Sequence, residues 1–278
     1  MQNAGMAALG LNWRYTAFEV RPDDLAAAIR GARAMHFIGL NLTVPHKILA
    51  LAMVDALDES ARAWGAVNTI RFEGQAADSE WRPLRTFEET PRAVRAHGFN
   101  TDADAIPRSL REDLEVELNG ARVLLFGAGG AGRTAALRLA SEGVAELFLV
   151  NRTPGKADAV GHEIRQRWPA VKVTVGYPVE QVELAINATS LGLKPEDPLP
   201  CDPARFAFKN AKTVYDMIYR PAETRFLREA RAAGCRVANG LGMLLYQGAK
   251  ALEIWTGQPA PVAIMRRALE QNVYGRHG

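Results

Sequence analysis

The run Val123-Leu124-Leu125-Phe126 leads directly into Gly127-Ala128-Gly129-Gly130-Ala131-Gly132. The apolar residues read as a buried strand, Arg122–Phe126, and a helical pattern, Gly132–Glu142, follows. A GxGxxG turn between strand and helix is the phosphate-binding turn of a doubly wound sheet. Gly127 permits the tight turn, Gly129 lets backbone approach a pyrophosphate, and Gly132 lets helix pack closely on strand. Free N–H groups and the positive end of the helix dipole then face the anion. Gly127, Ala128, Gly129, Gly130 and Ala131 are therefore candidate cofactor contacts. Read alone, such a turn also fits a glycine-rich loop without a ligand.

Beyond the turn, strand-like runs recur at Glu146–Asn151, Val171–Val175, Leu184–Ala188, Thr213–Met217 and Arg236–Ala238. Helical stretches Gly155–Trp168 and Ala222–Ala233 lie between them. Regular alternation of this kind implies a parallel, doubly wound sheet. The end of its second strand selects the nucleotide. NAD binders usually carry Asp or Glu there, to accept from the ribose 2′-hydroxyl. This chain has Asn151-Arg152-Thr153 and then Lys156, with no carboxylate at the tip. Arg152 can stack on and pair with a 2′-phosphate, and Lys156 adds a second charge. NADP(H) is the expected cofactor; the alternative is a solvated basic helix start.

The remaining composition bounds the partners. The 278 residues suffice for two domains, and 48% hydrophobic with 23% charged residues is a globular balance. The net charge of +3 is spread without long like-charge runs, so neither nucleic acid nor a membrane surface is an expected partner. Cys201 and Cys235 form no CxxC pair, and the scattered histidines lack metal-ligand spacing, so no metal is expected. No stretch approaches the ~18 apolar residues of a membrane span. Met1–Trp13 lacks the pattern of a signal peptide, and the expected location is the cytoplasm.

The first hundred residues also alternate. Strand candidates are Arg14–Val20, His36–Val44 and Asn68–Phe72; helical patterns are Asp23–Met35 and Lys47–Trp64. Gly74–Pro91 is polar with little periodicity, and reads as an extended surface loop. The tail offers two helices, Leu241–Trp255 and Pro261–Asn272, expected to pack back on the first domain. The expected fold is α/β: a substrate domain, 1–103, joined by helices of 241–278, and a Rossmann-type NADP domain, 104–240, with a cleft between them.

Three polar punctuations in the first domain carry candidate chemistry. In Asn41-Leu42-Thr43-Val44-Pro45-His46-Lys47, Pro45 sets the chain direction before a helix. Thr43 and Lys47 can then project to one side. Hydride transfer to a ketone needs a proton donor for the developing alkoxide, and a partly shielded ammonium supplies one. In Gly98-Phe99-Asn100-Thr101-Asp102, Asp102 can hold that ammonium and bond a substrate hydroxyl. In Gly65-Ala66-Val67-Asn68-Thr69, Asn68 offers a donor and an acceptor. Taken singly, Lys47 also fits a surface lysine, Asp102 a helix N-cap and Asn68 a turn residue.

Taken in order, NLTVPHK, GAVNT, GFNTD, GAGGAG, NRT, NATSLG and NGLGMLLYQG span residues 41 to 248 and closely resemble the shikimate dehydrogenase family. The resemblance implies NADPH-dependent reduction of 3-dehydroshikimate to shikimate in the aromatic amino-acid pathway. It implies Lys47 and Asp102 as the catalytic pair. Thr43, Lys47, Asn68, Asp102, Tyr219 and Gln247 would bind substrate. Gly127 to Ala131, Asn151, Arg152, Thr153, Lys156, Thr189, Ser190, Met217 and Gly240 would line the cofactor site. Glu59 falls where some members contact the nicotinamide. The family contains monomers and homodimers.

The chain departs from the family pattern twice. A Ser-x-Ser-Pro segment followed by His-Asn normally opens the family's substrate domain, and its serine hydroxyls hold the substrate carboxylate. Here Met1-Gln2-Asn3 stands where that segment ends, with Gln2 at the histidine. The expectation is a natural chain that begins upstream, or an activity that has drifted. The stretch from Thr69 to Gly98 also exceeds the family's short hairpin. Alternatives to NADP-dependent shikimate dehydrogenase are an NAD-using quinate/shikimate dehydrogenase and a nucleotide-binding protein without catalysis.

Overall fold

The segment Thr69–Gln75 alternates, with Ile70 and Phe72 on one face of a strand and Thr69, Arg71 and Glu73 on the other. In the computed structural model, which describes residues 1–43, 45–89 and 91–275, this strand is central to the first of two units. The first unit comprises Met1–Ala103 and the chain from Leu245 onward; the second is Asp104–Leu244. The helix Asp102–Leu114 carries the chain out of the first unit, and the helix Leu241–Thr256 carries it back.

The first unit holds β1 (Gly39–Asn41), β2 (Ala56–Leu57), β3 (Thr69–Gln75), β4 (Trp81–Pro83) and β5 (Val94–Phe99). Their order is β1-β3-β5-β2, and β4 also pairs with β3. β3 runs antiparallel to β1, β4 and β5, whereas β2 is parallel to β5. Leu25, Ile29 and Ala32 form one stripe of the helix Leu25–Ala34 and pack on Ile70, Phe72 and Ala96. Trp255 donates its indole N–H to the Ile70 carbonyl at 2.9 Å. It lies so close to Gly39 that a Cβ there would stand 2.1 Å from its Nε1, so only glycine fits.

Several sequence expectations for this unit are corrected. Arg14–Val20 forms no strand; Asn3 holds the segment instead, donating to the Tyr15 carbonyl and accepting from its N–H at 3.0 and 2.7 Å. Lys47–Trp64 is not one helix. It splits into the helix His46–Leu49, a 3-10 turn at Ala50–Ala52, β2 and the helix Glu59–Trp64. The break arises because the N–H groups of Asp55 and Asp58 bond the Ala96 and Gly98 carbonyls beside β5, at 2.9 Å each, and Asp58 caps the next helix. Gly74–Pro91 is not a plain loop, since β4 pairs Trp81 with Gln75 and Pro83 with Glu73. β5 and the helix Gln2–Ala8 are additional elements. Of the expected strand His36–Val44 only Gly39–Asn41 pairs, and Val44 lies outside the described residues.

The second unit holds β6 (Arg122–Phe126), β7 (Glu146–Val150), β8 (Lys172–Val175), β9 (Val182–Asn187), β10 (Ala211–Asp216) and β11 (Arg236–Asn239). Their order is β8-β7-β6-β9-β10-β11, and every pair of neighbours in it is parallel. This is the doubly wound Rossmann arrangement. Helices cover both faces of such a sheet, which explains the continuous burial of Val123–Phe126. The helix Pro154–Arg167 starts with Pro at its first position and buries Ala157, Val160, Gly161 and Ile164 along one stripe. Cys201 and Cys235 are both free and buried.

On the polar face of the first sheet, Glu73 is only 1% exposed. It accepts from Arg71, from Arg95 at 2.8 Å and from His97 at 3.0 Å. Arg95 and His97 sit on β5, opposite Glu73 and Arg71. Burial pushes this carboxyl up, but the bonds from His97, Arg71 and Arg95 outweigh it and hold it down at about 2. A carboxyl with a folded value below its unfolded one adds stability above its unfolded pKa. That contribution is lost as pH falls through the folded value. We expect the urea midpoint of the natural chain to fall between pH 4.5 and about 2 more steeply than that of Glu73→Gln. The variant should also be less stable at neutral pH. Parallel acid profiles in the two proteins would refute this account of Glu73.

Candidate active site

In the first unit, Lys47 lies in the short helix begun by Pro45, and Asp102 opens the helix Asp102–Leu114. Lys47 Nζ donates to Asp102 Oδ2 at 2.7 Å, and the two side chains are 28% and 22% exposed. The helix start does not engage the Asp102 carboxylate. Asn100 caps it instead, its Oδ1 accepting from the N–H groups of Asp102 and Ala103 at 3.1 and 3.3 Å. This removes the N-cap reading of Asp102. Asn100 is fixed in turn, since its Nδ2 donates to the Ala66 carbonyl at 3.1 Å and its N–H to Ser60 Oγ at 3.0 Å.

Asn68 is 1% exposed. Its Oδ1 accepts from the Thr101 N–H at 2.8 Å, and its Nδ2 donates to Thr101 Oγ1 at 3.0 Å. The hydroxyl of Thr69 also donates to Asn68 Oδ1, at 3.1 Å. An amide carries two donor hydrogens, and the bond to Thr101 uses one of those on Asn68. Asn41 extends the network: its Nδ2 donates to Thr69 Oγ1 at 2.9 Å, and its Oδ1 accepts from the Tyr15 hydroxyl at 3.0 Å. Thr43 is exposed, Gln247 is half-buried on the helix Leu241–Thr256, and Glu59 is exposed at the start of Glu59–Trp64. Tyr219 belongs to the second unit and is 37% exposed.

Sequence reasoning passed over Asn100, Thr101, Asn41 and Tyr15. For Asn100 a signal existed, because Asn is among the short polar residues favoured around helix starts. For the Tyr15–Asn41 bond there was none. As chemistry, the pair leaves two ammonium hydrogens and a second carboxylate oxygen for a substrate hydroxyl or carbonyl.

In the second unit the candidates collect at the carboxyl ends of the parallel strands. Gly127 follows β6, Asn151 follows β7, Thr189 lies beyond β9, Met217 follows β10 and Gly240 follows β11. Open α/β sheets bind nucleotides at this edge. Gly127 has φ +104°, and a Cβ there would stand 2.8 Å from the Ala188 carbonyl oxygen. A Cβ on Gly132 would stand 2.2 Å from the Gly127 oxygen, so helix and turn touch backbone to backbone. Gly129 and Gly130 instead face open space, and the helix Gly130–Ser141 has no side-chain cap. Its first N–H groups are therefore available to an anion, which fits a pyrophosphate.

Asn151 ties the turn after β6 to the segment after β7. Its Oδ1 accepts from the Ala128 N–H at 3.0 Å and its Nδ2 donates to the Thr153 carbonyl at 2.8 Å. Arg152 and Lys156 are exposed, and neither has an ion-pair partner among the described residues. Thr153 precedes the helix Pro154–Arg167 without capping it through its side chain. Thr189 donates its hydroxyl to Asn187 Oδ1 at 2.7 Å and accepts from the Leu191 N–H at 3.0 Å, whereas Ser190 is exposed. The half-buried Met217 lies against Gly240, where a Cβ would stand 2.1 Å from the Met217 oxygen. Among the described residues no His, Cys, Asp and Glu cluster could hold a metal ion, and no helix is long and apolar enough to cross a membrane.

Three family models match the chain: the shikimate dehydrogenase substrate binding domain over residues 1–70, shikimate / quinate 5-dehydrogenase over 109–191, and the shikimate 5'-dehydrogenase C-terminal domain over 240–270. Shikimate dehydrogenase (NADP(+)) of Moorella thermoacetica is 42% identical over 98% of this chain and 87% of its own length. Among solved structures, 5-ketofructose reductase of Gluconobacter sp. strain CHM43 superposes with a TM-score of 0.79 at 33% identity, covering 98% of this chain and 92% of that one. Shikimate 5-dehydrogenase from Thermus thermophilus, in complex with NADP(H) and shikimate, gives 0.76 at 32% identity, covering 97% and 92%. With its motifs in the family's order and relatives matched along nearly their whole length, the chain belongs to the shikimate dehydrogenase family.

Proposed function

We propose that the chain is an NADP-dependent shikimate dehydrogenase, reversibly reducing 3-dehydroshikimate to shikimate in aromatic amino-acid biosynthesis. The observation that carries this reading is the 2.7 Å bond between Lys47 Nζ and Asp102 Oδ2. Bound NADPH supplies the hydride. The Lys47 ammonium gives its proton to the carbonyl oxygen as negative charge develops there. Asp102 holds the ammonium in place and accepts from a neighbouring substrate hydroxyl. In the oxidative direction the same lysine takes the proton back.

Thr43, Asn68, Tyr219 and Gln247 are assigned to substrate hydroxyls and carboxylate. The first domain, 1–103 with the helices of 241–278, holds substrate, and 104–240 holds the nucleotide. Arg152 and Lys156, both exposed and without an ion-pair partner among the described residues, are assigned to the 2′-phosphate. Gly127 to Ala131 take the pyrophosphate, and Thr189, Ser190, Met217 and Gly240 line the remaining surface. The partner is thus a small molecule, with no nucleic acid involved. The enzyme works in the cytoplasm as a monomer or homodimer.

NADPH absorbance followed with 3-dehydroshikimate tests the reading, with quinate plus NAD(P)+ and 5-ketofructose as comparisons. The last is included because of the likeness to 5-ketofructose reductase. Turnover confined to a comparison substrate would replace the assignment. Lys47→Ala should lower kcat ~10²-fold or more while nucleotide affinity stays near normal. An unchanged kcat would remove Lys47 from the chemistry. Arg152→Ala should raise the KM for NADPH ~10-fold or more and leave that for NADH nearly unchanged, since it deletes charge-assisted bonds worth ~1.5–3 kcal/mol. Equal increases for both nucleotides would show that Arg152 does not read the 2′-phosphate.

A further inference from the structure

The second unit buries three polar side chains together at the carboxyl ends of β9 and β10. Asn187, Asp216 and Thr224 are 0%, 0% and 1% exposed. Asn187 and Asp216 are register partners on neighbouring strands. Asn187 Nδ2 donates to Asp216 Oδ1 and to the Leu191 carbonyl, both at 3.0 Å. Its Oδ1 accepts from the Thr189 N–H at 3.0 Å and from the Thr189 hydroxyl at 2.7 Å. Asp216 Oδ1 also accepts from the Ile218 N–H at 3.0 Å. Its Oδ2 accepts from the Thr224 hydroxyl at 2.6 Å, and Thr224 caps the helix Arg225–Ala232.

The bonds to this carboxylate come from neutral groups, and it forms no ion pair among the described residues. Burial pushes its carboxyl up, against the pull of Thr224, Ile218 and Asn187. A buried carboxylate without a cation is costly, and the donors from Asn187, Ile218 and Thr224 offset that cost.

We propose that Asp216 is a positioning residue for the nicotinamide half of the dinucleotide, joining the Thr189–Leu191 turn to the Met217–Tyr219 turn. The strand order β8-β7-β6-β9-β10-β11 sets which half it serves. Gly127 after β6 takes the pyrophosphate. Arg152, at the tip of β7, takes the adenosine 2′-phosphate on one side. The nicotinamide half then falls to the turns beyond β9 and β10 on the other. Asp216 receives one bond from Asn187, which holds the first turn, one from Ile218 in the second, and a third from the cap of the next helix. Its loss frees both turns at once. Asp216 itself is fully buried and acts only through them. The inference rests on the NADP reading.

Calorimetry with NADPH and with 2′,5′-ADP, on the full chain, separates the possibilities. In Asp216→Ala the Kd for NADPH should rise about tenfold or more, while that for 2′,5′-ADP stays within about twofold. Asp216→Asn keeps an acceptor for Ile218 and Asn187 and can donate to Thr224, so NADPH binding should recover to within about threefold of the natural chain. If Asp216→Ala does not fold by circular dichroism, Asn187→Ser cuts the same link and is read the same way. Unchanged NADPH binding, equal loss of both ligands, or an Asn variant as weak as the Ala variant would each overturn the positioning role. A natural chain that binds neither ligand would instead overturn the NADP reading.

Discussion

Two backbone N–H groups, those of Asp102 and Ala103, need a side-chain acceptor at the start of the helix that presents Asp102 to Lys47. Asn100 supplies it. The Asp102 carboxylate itself meets the lysine at 2.7 Å. Asn100 is held by Ala66 and Ser60, and the Ser60 hydroxyl donates to Asp58 Oδ1 at 2.6 Å. The Lys47 side is anchored to the same short segment, its carbonyl accepting from the Val67 N–H at 2.8 Å. Both partners of the pair are thus referenced to residues 65–68. Gly65, at φ +63°, turns the chain out of the helix Glu59–Trp64 there, a conformation costly for most other residues.

The second unit meets a different constraint, the approach of backbone to backbone. Gly132 against Gly127 and Gly240 against Met217 leave no room for a Cβ. The open positions are Gly129 and Gly130, on the side where the helix N–H groups are uncapped. Glycine is used for packing at 127, 132 and 240 and for access at 129 and 130. A substitution at Gly132 therefore acts on the turn itself, whereas one at Gly129 acts on whatever approaches it.

Much of the second unit was legible in the sequence, because parallel strands buried on both faces read as continuous apolar runs with helices between. Arg122–Phe126 and Glu146–Val150 show this, and their strand ends fall within a residue of expectation. The first unit was less legible because its strands are short and its polar face is internal. Val94–Phe99 carries Arg95 and His97, yet it is a strand, and those side chains face Glu73 rather than open water. Apolar residues after Lys47 mimic a helical stripe. The break at Ala56–Leu57 is set by pairing with His97 and Gly98, some forty residues away, which no local pattern reveals. The same holds for the candidate site. Lys47 and Asp102 were nameable from their motifs, but the groups that hold their backbones, Asn100 and the Val67 N–H, act through hydrogen bonds that depend on the fold.

Asparagine recurs where two segments must be held in register: Asn68 and Asn100 in the first unit, Asn151 and Asn187 in the second. Its amide offers an acceptor and two donors on one short side chain without charge. A buried asparagine can therefore satisfy an N–H on one segment and a carbonyl or hydroxyl on the next. A carboxylate can only accept, so Asp216 works where its neighbours supply donors, from Asn187, Ile218 and Thr224. A carboxylate at position 187 would set an oxygen against the Asp216 carboxylate and the Leu191 carbonyl, with no donor between them. Unmade bonds of that kind cost more than the made ones contribute. The positions of these side chains are thus dictated by donor and acceptor complementarity as much as by shape, and the turns beyond β9 and β10 inherit their geometry from it.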